Sequence, residues 1–286
     1  MSEKILIACD STADLNAEII EKYGIQTLPL GINMGGKMYT DGVNIDPDKI
    51  YAAVAETGEL PKTAAVNIAA FEDFFEKRTA EGYAIVLLTI SAEMSSTFSN
   101  ARLAAEDYEN VYVVDSRNLS TGGGLLVLHA AQLREAGKSA KEIYEECVSL
   151  TACVDASFVI DSLEYLHKGG RCSTIAALGA NLLKLKPCIG VKDGKMGVGK
   201  KYRGKFSAVL PQYIADRMGD ASDIRTDKIF VTHAGCEPEI IESCVNEVRR
   251  IAPEANVMIT RAGCTISSHC GRNTLGVLFI RKNPIE

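Results

Sequence analysis

The strongest constraint on this chain is the regular alternation of strand-like and helix-like segments through its first half. "KILIACD" reads as a strand and "STADLNAEIIEKYG" as a helix, capped by Ser11 or Thr12 and stopped by Gly24. "IQTLPLGINM" reads as a second strand region, which Pro29 pushes toward a sheet edge. "DPDKIYAAVAETG" is a helix opened by Asp46, with Pro47 in its first turn. "NIAAFEDFFEKRTAEG" is the next helix, and "YAIVLLT" after Gly82 is a buried strand. A helix from about Ser95 to Glu109, the strand "VYVVD", a long helix through "GLLVLHAAQLREAG" and a helix over "SAKEIYEECVSLTACV" complete the half. Such alternation predicts an α/β fold: a Rossmann-like, mostly parallel sheet with helices on both faces.

The second half has a different rhythm. "ASFVIDS" reads as a strand, "LEYLHKGG" as a short helix with a glycine stop, and "STIAALGANLLK" as another helix. "KPCIGVKDGKMGVGKKYRG" alternates short strands around an Asp-Gly pair, a hairpin signal. Helices over "KFSAVLPQYIADRMGD" and "EPEIIESCVNEVRRIAP" are interleaved with strands "KIFVTHAG" and "ANVMITRAG", and "TISSHCGRNTLGVLFIRK" ends on a strand. Hairpins mixed with helices predict a second domain of α/β (α+β) type. The boundary is placed near Asp155, giving domains 1–155 and 156–286, in keeping with a length of 286 residues.

Hydrophobic residues make up 47% and charged ones 24%, enough to build real cores. A net charge of −6 argues against nucleic acid as a partner. No apolar run approaches the roughly 18 residues of a membrane span, and "MSEKILIACD" enters a strand with no visible signal peptide. The nine cysteines are an odd number without CxxC spacing, and the four histidines are dispersed. Neither a disulfide framework nor a metal or other cofactor is expected, and the chain reads as a reduced, cytoplasmic protein.

In a parallel sheet the loops after the strands gather along one rim, where ligands bind. Here those loops are "DSTAD" (Asp10–Asp14), "TISAEMSST" (Thr89–Thr97) and "DSRNLSTGGG" (Asp115–Gly124), all rich in hydroxyls and each reading as a helix start. Serine, threonine and aspartate are ordinary N-caps. Gathered at one rim, helix N-termini also make a cradle for a carboxylate or phosphate. Both readings stand at this point.

"DSTADL", "PKTAAVN", "SAEMSSTFSNA", "VVDSRNLSTGGGLLV", "YLHKGGR", "LKPCIGVKDG" and "ISSHCGRNTLG" follow one another in an order and spacing that resembles the DegV family across essentially the whole chain. The resemblance implies two α/β domains with a ligand tunnel between them. It implies binding of a long-chain fatty acid and presentation of its carboxyl group to a separate ATP-dependent fatty-acid kinase. The acyl-phosphate product feeds phospholipid synthesis, and the protein itself performs no chemistry. Carried over, the carboxyl binders are Thr63 in "PKTAA", Ser95 in "EMSSTF" and His269 in "SSHCG", with Arg171 of "KGGR" nearby. Ser96 stands where the family usually has glycine. Arg203 in "KYRGK" falls where the family carries an arginine associated with kinase docking. The chain departs from the pattern at Ala64-Ala65, where Ser-Gln is common, and at Gly271-Arg272-Asn273, where Gly-Pro-Gly is common.

A fatty acid needs an apolar channel for its tail and a polar end for its carboxyl group. "NIAAF", "GLLVLHAA" and "IAALGANLLKL" are candidate tail-lining segments because small residues leave room. Their other reading is ordinary helix packing. His269 is expected to share a proton near neutral pH. His129 and His167 read as structural, while His233, ending a strand, could reach the domain interface. The basic stretch Lys192–Lys205 reads as a solvated hairpin, or as a patch for an acidic partner or for transient contact with an anionic membrane surface. Two other functions fit parts of the sequence. Ser95, Asp115 and His269 occur in the order of an α/β-hydrolase triad, although Glu93 and Thr97 occupy the glycine positions of the nucleophile elbow. A lipid sensor or storage protein without a kinase is the other.

Overall fold

The computed structural model describes residues 3–174 and 185–285. The first half runs β1 (Ile5–Asp10), α1 (Ala17–Tyr23), β2 (Gln26–Leu28), β3 (Gly31–Met34), β4 (Lys37–Thr40), α2 (Pro47–Thr57), β5 (Lys62–Ala64), α3 (Ile68–Ala80), β6 (Ala84–Thr89), α4 (Thr97–Ala104), β7 (Val111–Asp115), α5 (Thr121–Glu135) and α6 (Ala140–Leu150). The second half runs β8 (Val154–Ile160), α7 (Glu164–Gly169), β9 (Leu185–Lys192), β10 (Lys195–Arg203), α8 (Phe206–Met218), β11 (Ile224–Ala234), α9 (Pro238–Ile251), β12 (Val257–Arg261), α10 (Cys264–Cys270) and β13 (Thr274–Arg281). No helix among the described residues is long and apolar enough to cross a membrane.

Four strands form a wholly parallel sheet in the order β2-β1-β6-β7. The continuous apolar run of β6 follows from burial on both faces. Ile85 and Leu87 point with Leu6 and Ala8 toward Phe71, Phe75 and Ala101 of α3 and α4. Val86 and Leu88 point with Ile7 and Cys9 toward Leu125, Leu128 and Ile143 of α5 and α6. The fold class expected from the alternation is the one observed.

The second sheet is mixed, with six strands in the order β10-β9-β8-β13-β11-β12. β11 and β12 pair in parallel, and the other pairs are antiparallel. The hairpin turns on Asp193 (φ 52°) and Gly194 (φ 78°), the left-handed pair that matches strand twist. One face of this sheet packs on α8 and α9 through Val159, Leu275, Val277 and Phe279. From the other face, Ala156, Phe230, Leu278 and Ile280 join the core built on α5. Helix α5 therefore lies between the two sheets.

Three local expectations change. The first helix begins at Ala17 under an Asn16 cap that accepts from Ile19 N, not under Ser11 or Thr12. Ser11–Ala13 instead make a separate short turn, and Asp14 at φ 51° breaks the helical path. The region around Pro29 divides: β2 edges the parallel sheet, while β3 joins a three-stranded sheet ordered β4-β3-β5. Helix α4 ends at Ala104 rather than near Glu109, because the Ala105 N–H turns to several carbonyls and Tyr108 packs its ring on Phe75. The helix expected over "STIAALGANLLK" lies largely outside the described residues.

Candidate functional site

A cavity of about 200 Å³ opens beside the rim of the parallel sheet. Its walls come from both halves of the chain: Ile90, Met94 and Leu119 from the rim loops, Phe158 from β8, Met196 from β10 and Ile266 from α10. Thr63, Ser95, Ser96, Arg171 and His269 line the same cavity, so the structure gathers these residues in one place. The polar residues mark its outer end. Ser96 and Arg171 are exposed, and Thr63, Ser95 and His269 are half-buried, whereas Met94, Leu119, Phe158, Leu166 and Met196 are buried. A smaller apolar recess of about 30 Å³ shares Leu119, Phe158, Ile266 and Cys270 with the main chamber and reaches His233.

The polar end is held across a long sequence separation. Thr63 Oγ1 and His269 Nε2 are joined by a hydrogen bond of 2.9 Å between residues 206 positions apart. Thr63 is placed by β5, which pairs with β3 in the register Ile32 to Thr63. His269 sits in the last turn of α10, which is held at its other end by buried carboxylates: Asp14 accepts from Gly263 N, and Asp41 accepts from Cys264 N and Thr265 N. Ser95 Oγ shares a 2.9 Å hydrogen bond with Thr97 Oγ1.

The two glycines of "HKGG" have different physical reasons. Gly170 ends α7 in the left-handed region, φ 67°. Gly169 has an ordinary φ, but a Cβ there would lie 2.5 Å from His269 Nδ1. The ring needs the missing side chain. His269 Nδ1 is buried and has no hydrogen-bond partner among the described residues. Burial, with the neighbouring Arg171 charge second, pushes the imidazole down to about 4. The ring is thus neutral near pH 7, which corrects the expectation that it shares a proton there: desolvation outweighs any benefit of charge. Arg171 is anchored at the outer end by donating Nη1–H to Gly169 O, 2.8 Å.

The hydroxyl-rich loops turn out to bind one another. Ser120 and Ser96 make no side-chain cap to the helices they precede. Ser120 Oγ donates to Asp14, and Ser91 Oγ donates to Gly194 O of the hairpin turn, 2.7 Å. The glycine run Gly122–Gly124 lets α5 pack closely. A Cβ at Gly122 would meet Asn118 Oδ1 at 2.6 Å, and one at Gly124 would meet Ala13 O at 2.8 Å.

The Ser95–Asp115–His269 set does not assemble as a relay. Asp115 Oδ1 accepts from Ala92 N and Arg117 N, while His269 Nε2 is on Thr63 and Nδ1 is unpartnered. Arg203 is an exposed residue closing β10 and is not among the cavity's walls. Arg272 lies over the Tyr51 ring, 5.3 Å from its centroid, and Asn273 adopts φ 55°, a conformation asparagine tolerates. "NIAAF" and "GLLVLHAA" contribute nothing to the main chamber among the described residues. α3 and α5 are packed on sheet faces instead. Most of "IAALGANLLKL" lies outside the described residues. The other wall residues share no local pattern, because they come singly from loops, strands and the short helices α7 and α10. Phe158 alone had a signal, standing opposite Val159 in a period of two.

Comparison with known proteins decides the family. A family profile described as "uncharacterised protein, DegV family" matches residues 4–282. The chain belongs to the DegV family. A DegV domain-containing protein of Clostridium acetobutylicum is 36% identical over 282 residues, 98% of this chain and 99% of the relative. Among solved structures, a DegV family protein from Thermus thermophilus, described as fatty-acid-binding, superposes with a TM-score of 0.88 at 27% identity, covering 97% of this chain and 99% of that one. A stearic acid-binding protein from Eubacterium ventriosum superposes with a TM-score of 0.84 at 27% identity, covering 97% and 98%.

Proposed function

We propose that this DegV protein binds a long-chain fatty acid with its carboxyl group on Thr63, Ser95 and His269 and its tail in the apolar chamber. The observation that carries this reading is the Thr63–His269 hydrogen bond at the polar end of an otherwise apolar cavity. Binding of fatty acids by structural neighbours supports it. Each buried methylene contributes about 0.8 kcal/mol, so a sixteen-carbon tail contributes on the order of 10 kcal/mol before the costs of association. Neutral hydroxyl and imidazole groups orient the acid at a small desolvation cost, and the exposed Ser96 and Arg171 leave the head accessible. That accessibility favours presentation to a separate ATP-dependent fatty-acid kinase, with Arg203 on the docking face, over storage. On this reading the protein supplies no catalytic group, and the chain divides near Asp155 into the lobes flanking the tail.

Mass spectrometry of the purified protein after denaturation should release a C14–C18 acid in stoichiometric amount. Its absence, together with no uptake of added acid, would overturn the reading. Covalent labelling of Ser95 by a fluorophosphonate would favour the hydrolase instead. Addition of the cognate kinase and ATP should yield acyl-phosphate if the head is presented.

A further inference from the structure

The "DSTAD" loop stands out in the sequence, yet none of its side chains lines the main cavity. Directly or through one intermediate, its contacts lead to each of the three segments that carry a carboxyl-binding residue. Asp10 Oδ2 accepts from Ile90 N at 2.7 Å, at the start of the loop bearing Ser95. Ser11 Oγ accepts from Leu30 N at 3.1 Å, just before the strand that registers Thr63 on β5. The same hydroxyl donates to Asp41 Oδ2 at 3.0 Å. Asp41 then accepts from Cys264 N at 2.8 Å, Thr265 N at 3.0 Å and Thr265 Oγ1 at 2.6 Å, the first turn of the helix that carries His269 in its last turn. Asp14 Oδ1 accepts from Gly263 N at 2.8 Å, and its other oxygen accepts from Ser120 Oγ.

We propose that Asp10, Ser11 and Asp14, together with Asp41, are positioning residues that set Thr63, Ser95 and His269 in mutual register. The assignment rests on the reading that those three hold the ligand carboxyl. Its physical basis is that Asp10, Asp14 and Asp41 are each less than a tenth exposed and their bonds go to backbone N–H groups as well as hydroxyls. A short helix such as α10 has orphan N–H groups at its start, and two carboxylates from the first half of the chain satisfy them. The helix is thus fixed to the parallel-sheet half at its N-terminus, and His269 is delivered to Thr63 from its C-terminus.

Asp41→Asn keeps the shape and one oxygen but turns an amide donor toward Thr265 N, Thr265 Oγ1 and Ser11 Oγ. Full-length wild-type, Asp41→Asn, Ser11→Ala and His269→Ala proteins would be titrated with hexadecanoic acid and with hexadecanol. For Asp41→Asn the acid affinity should fall roughly tenfold while the alcohol affinity changes by less than about twofold. The 15N signals of the His269 imidazole should move. Parallel loss for both ligands, or unchanged acid affinity with an unmoved imidazole, would overturn the assignment. Ser11→Ala removes one hydroxyl, with its bonds to Leu30 N and Asp41, and covers the case in which Asp41→Asn does not fold. It should shift the acid-to-alcohol preference in the same direction, and an unchanged preference would overturn the proposal. If His269→Ala leaves acid affinity intact, the carboxyl-site reading itself has failed, a result distinct from failure of the positioning role.

Discussion

Replacing Gly169 by alanine should weaken fatty-acid binding more than it weakens the fold. An added Cβ would stand 2.5 Å from His269 Nδ1 and 3.4 and 3.5 Å from Cε1 and Cγ, so it meets the ring edge-on at the nitrogen. Ordinary contact begins near 3.4 Å, and the imidazole must retreat by about 0.9 Å. Thr63 lies on the Nε2 side, already at 2.9 Å, so the ring must swivel and the pair separates. An imidazole displaced from the carboxyl site should forfeit one neutral hydrogen bond to the acid, about 1–2 kcal/mol, or five- to thirtyfold in affinity. Gly169 is the last residue of α7 and has no positive φ, so alanine adds no backbone strain, and the loss of stability should be confined to the broken Thr63–His269 bond, about 1 kcal/mol. The assay is a double-mutant cycle on hexadecanoic acid affinity with Gly169→Ala, His269→Ala and the pair. In the His269→Ala background the new methyl group finds room, and its cost should fall below about 0.5 kcal/mol. Equal cost in both backgrounds would refute the close-approach argument.

His269 also makes stability depend on pH. Its pKa falls from 6.5 in the unfolded chain to about 4 when folded. The unfolded state therefore binds the extra proton, and the contribution is complete above about pH 6.5 and lost as pH falls toward 4. At 1.36 kcal/mol per pH unit the loss between pH 7 and pH 4.5 is about 2 kcal/mol, read as the difference between wild type and His269→Gln in urea titrations at the two pH values. A difference that does not change with pH would exclude this role. Asp155, 1% exposed, is gripped by Arg217 and by Arg281, whose Nε donates at 2.8 Å. Asp155→Ala should cost about 2–3 kcal/mol of unfolding free energy, less than for a fully buried pair because both arginines keep some water contact. A loss under about 1 kcal/mol would show that the arginines find other partners.

Much of the architecture was legible because it rests on periodicity. The run "AIVLLT" had to be covered on both faces, and the Asp-Gly pair before "KMGVGK" had to turn. Less legible was what the hydroxyls do. Ser11, Ser91 and Ser120 look like caps in sequence, but their partners are Asp41, Gly194 and Asp14, fixed only when distant segments meet. Thr63 and His269 came from family resemblance, and no local pattern marks either. Gly122–Gly124 lies in a loop that reads equally as a helix cap or an anion cradle until its neighbours are known, when it proves to be a place where α5 packs closely on other segments.

The electrostatics of the polar end bear on what a DegV protein of this kind can do with an acid. A carboxylate locked on a buried arginine would be well stabilised and hard to transfer. Among the described residues, the one arginine on the cavity wall is exposed and tethered to Gly169 O, while the half-buried Thr63 and neutral His269 carry no charge. On the proposed function, affinity comes chiefly from the tail, and the headgroup contacts select orientation. On that reading, such a division leaves the carboxyl group at the exposed end open to a partner. Strengthening the head site with a second buried cation would therefore raise affinity and slow hand-over together, a coupling that separates presentation from storage.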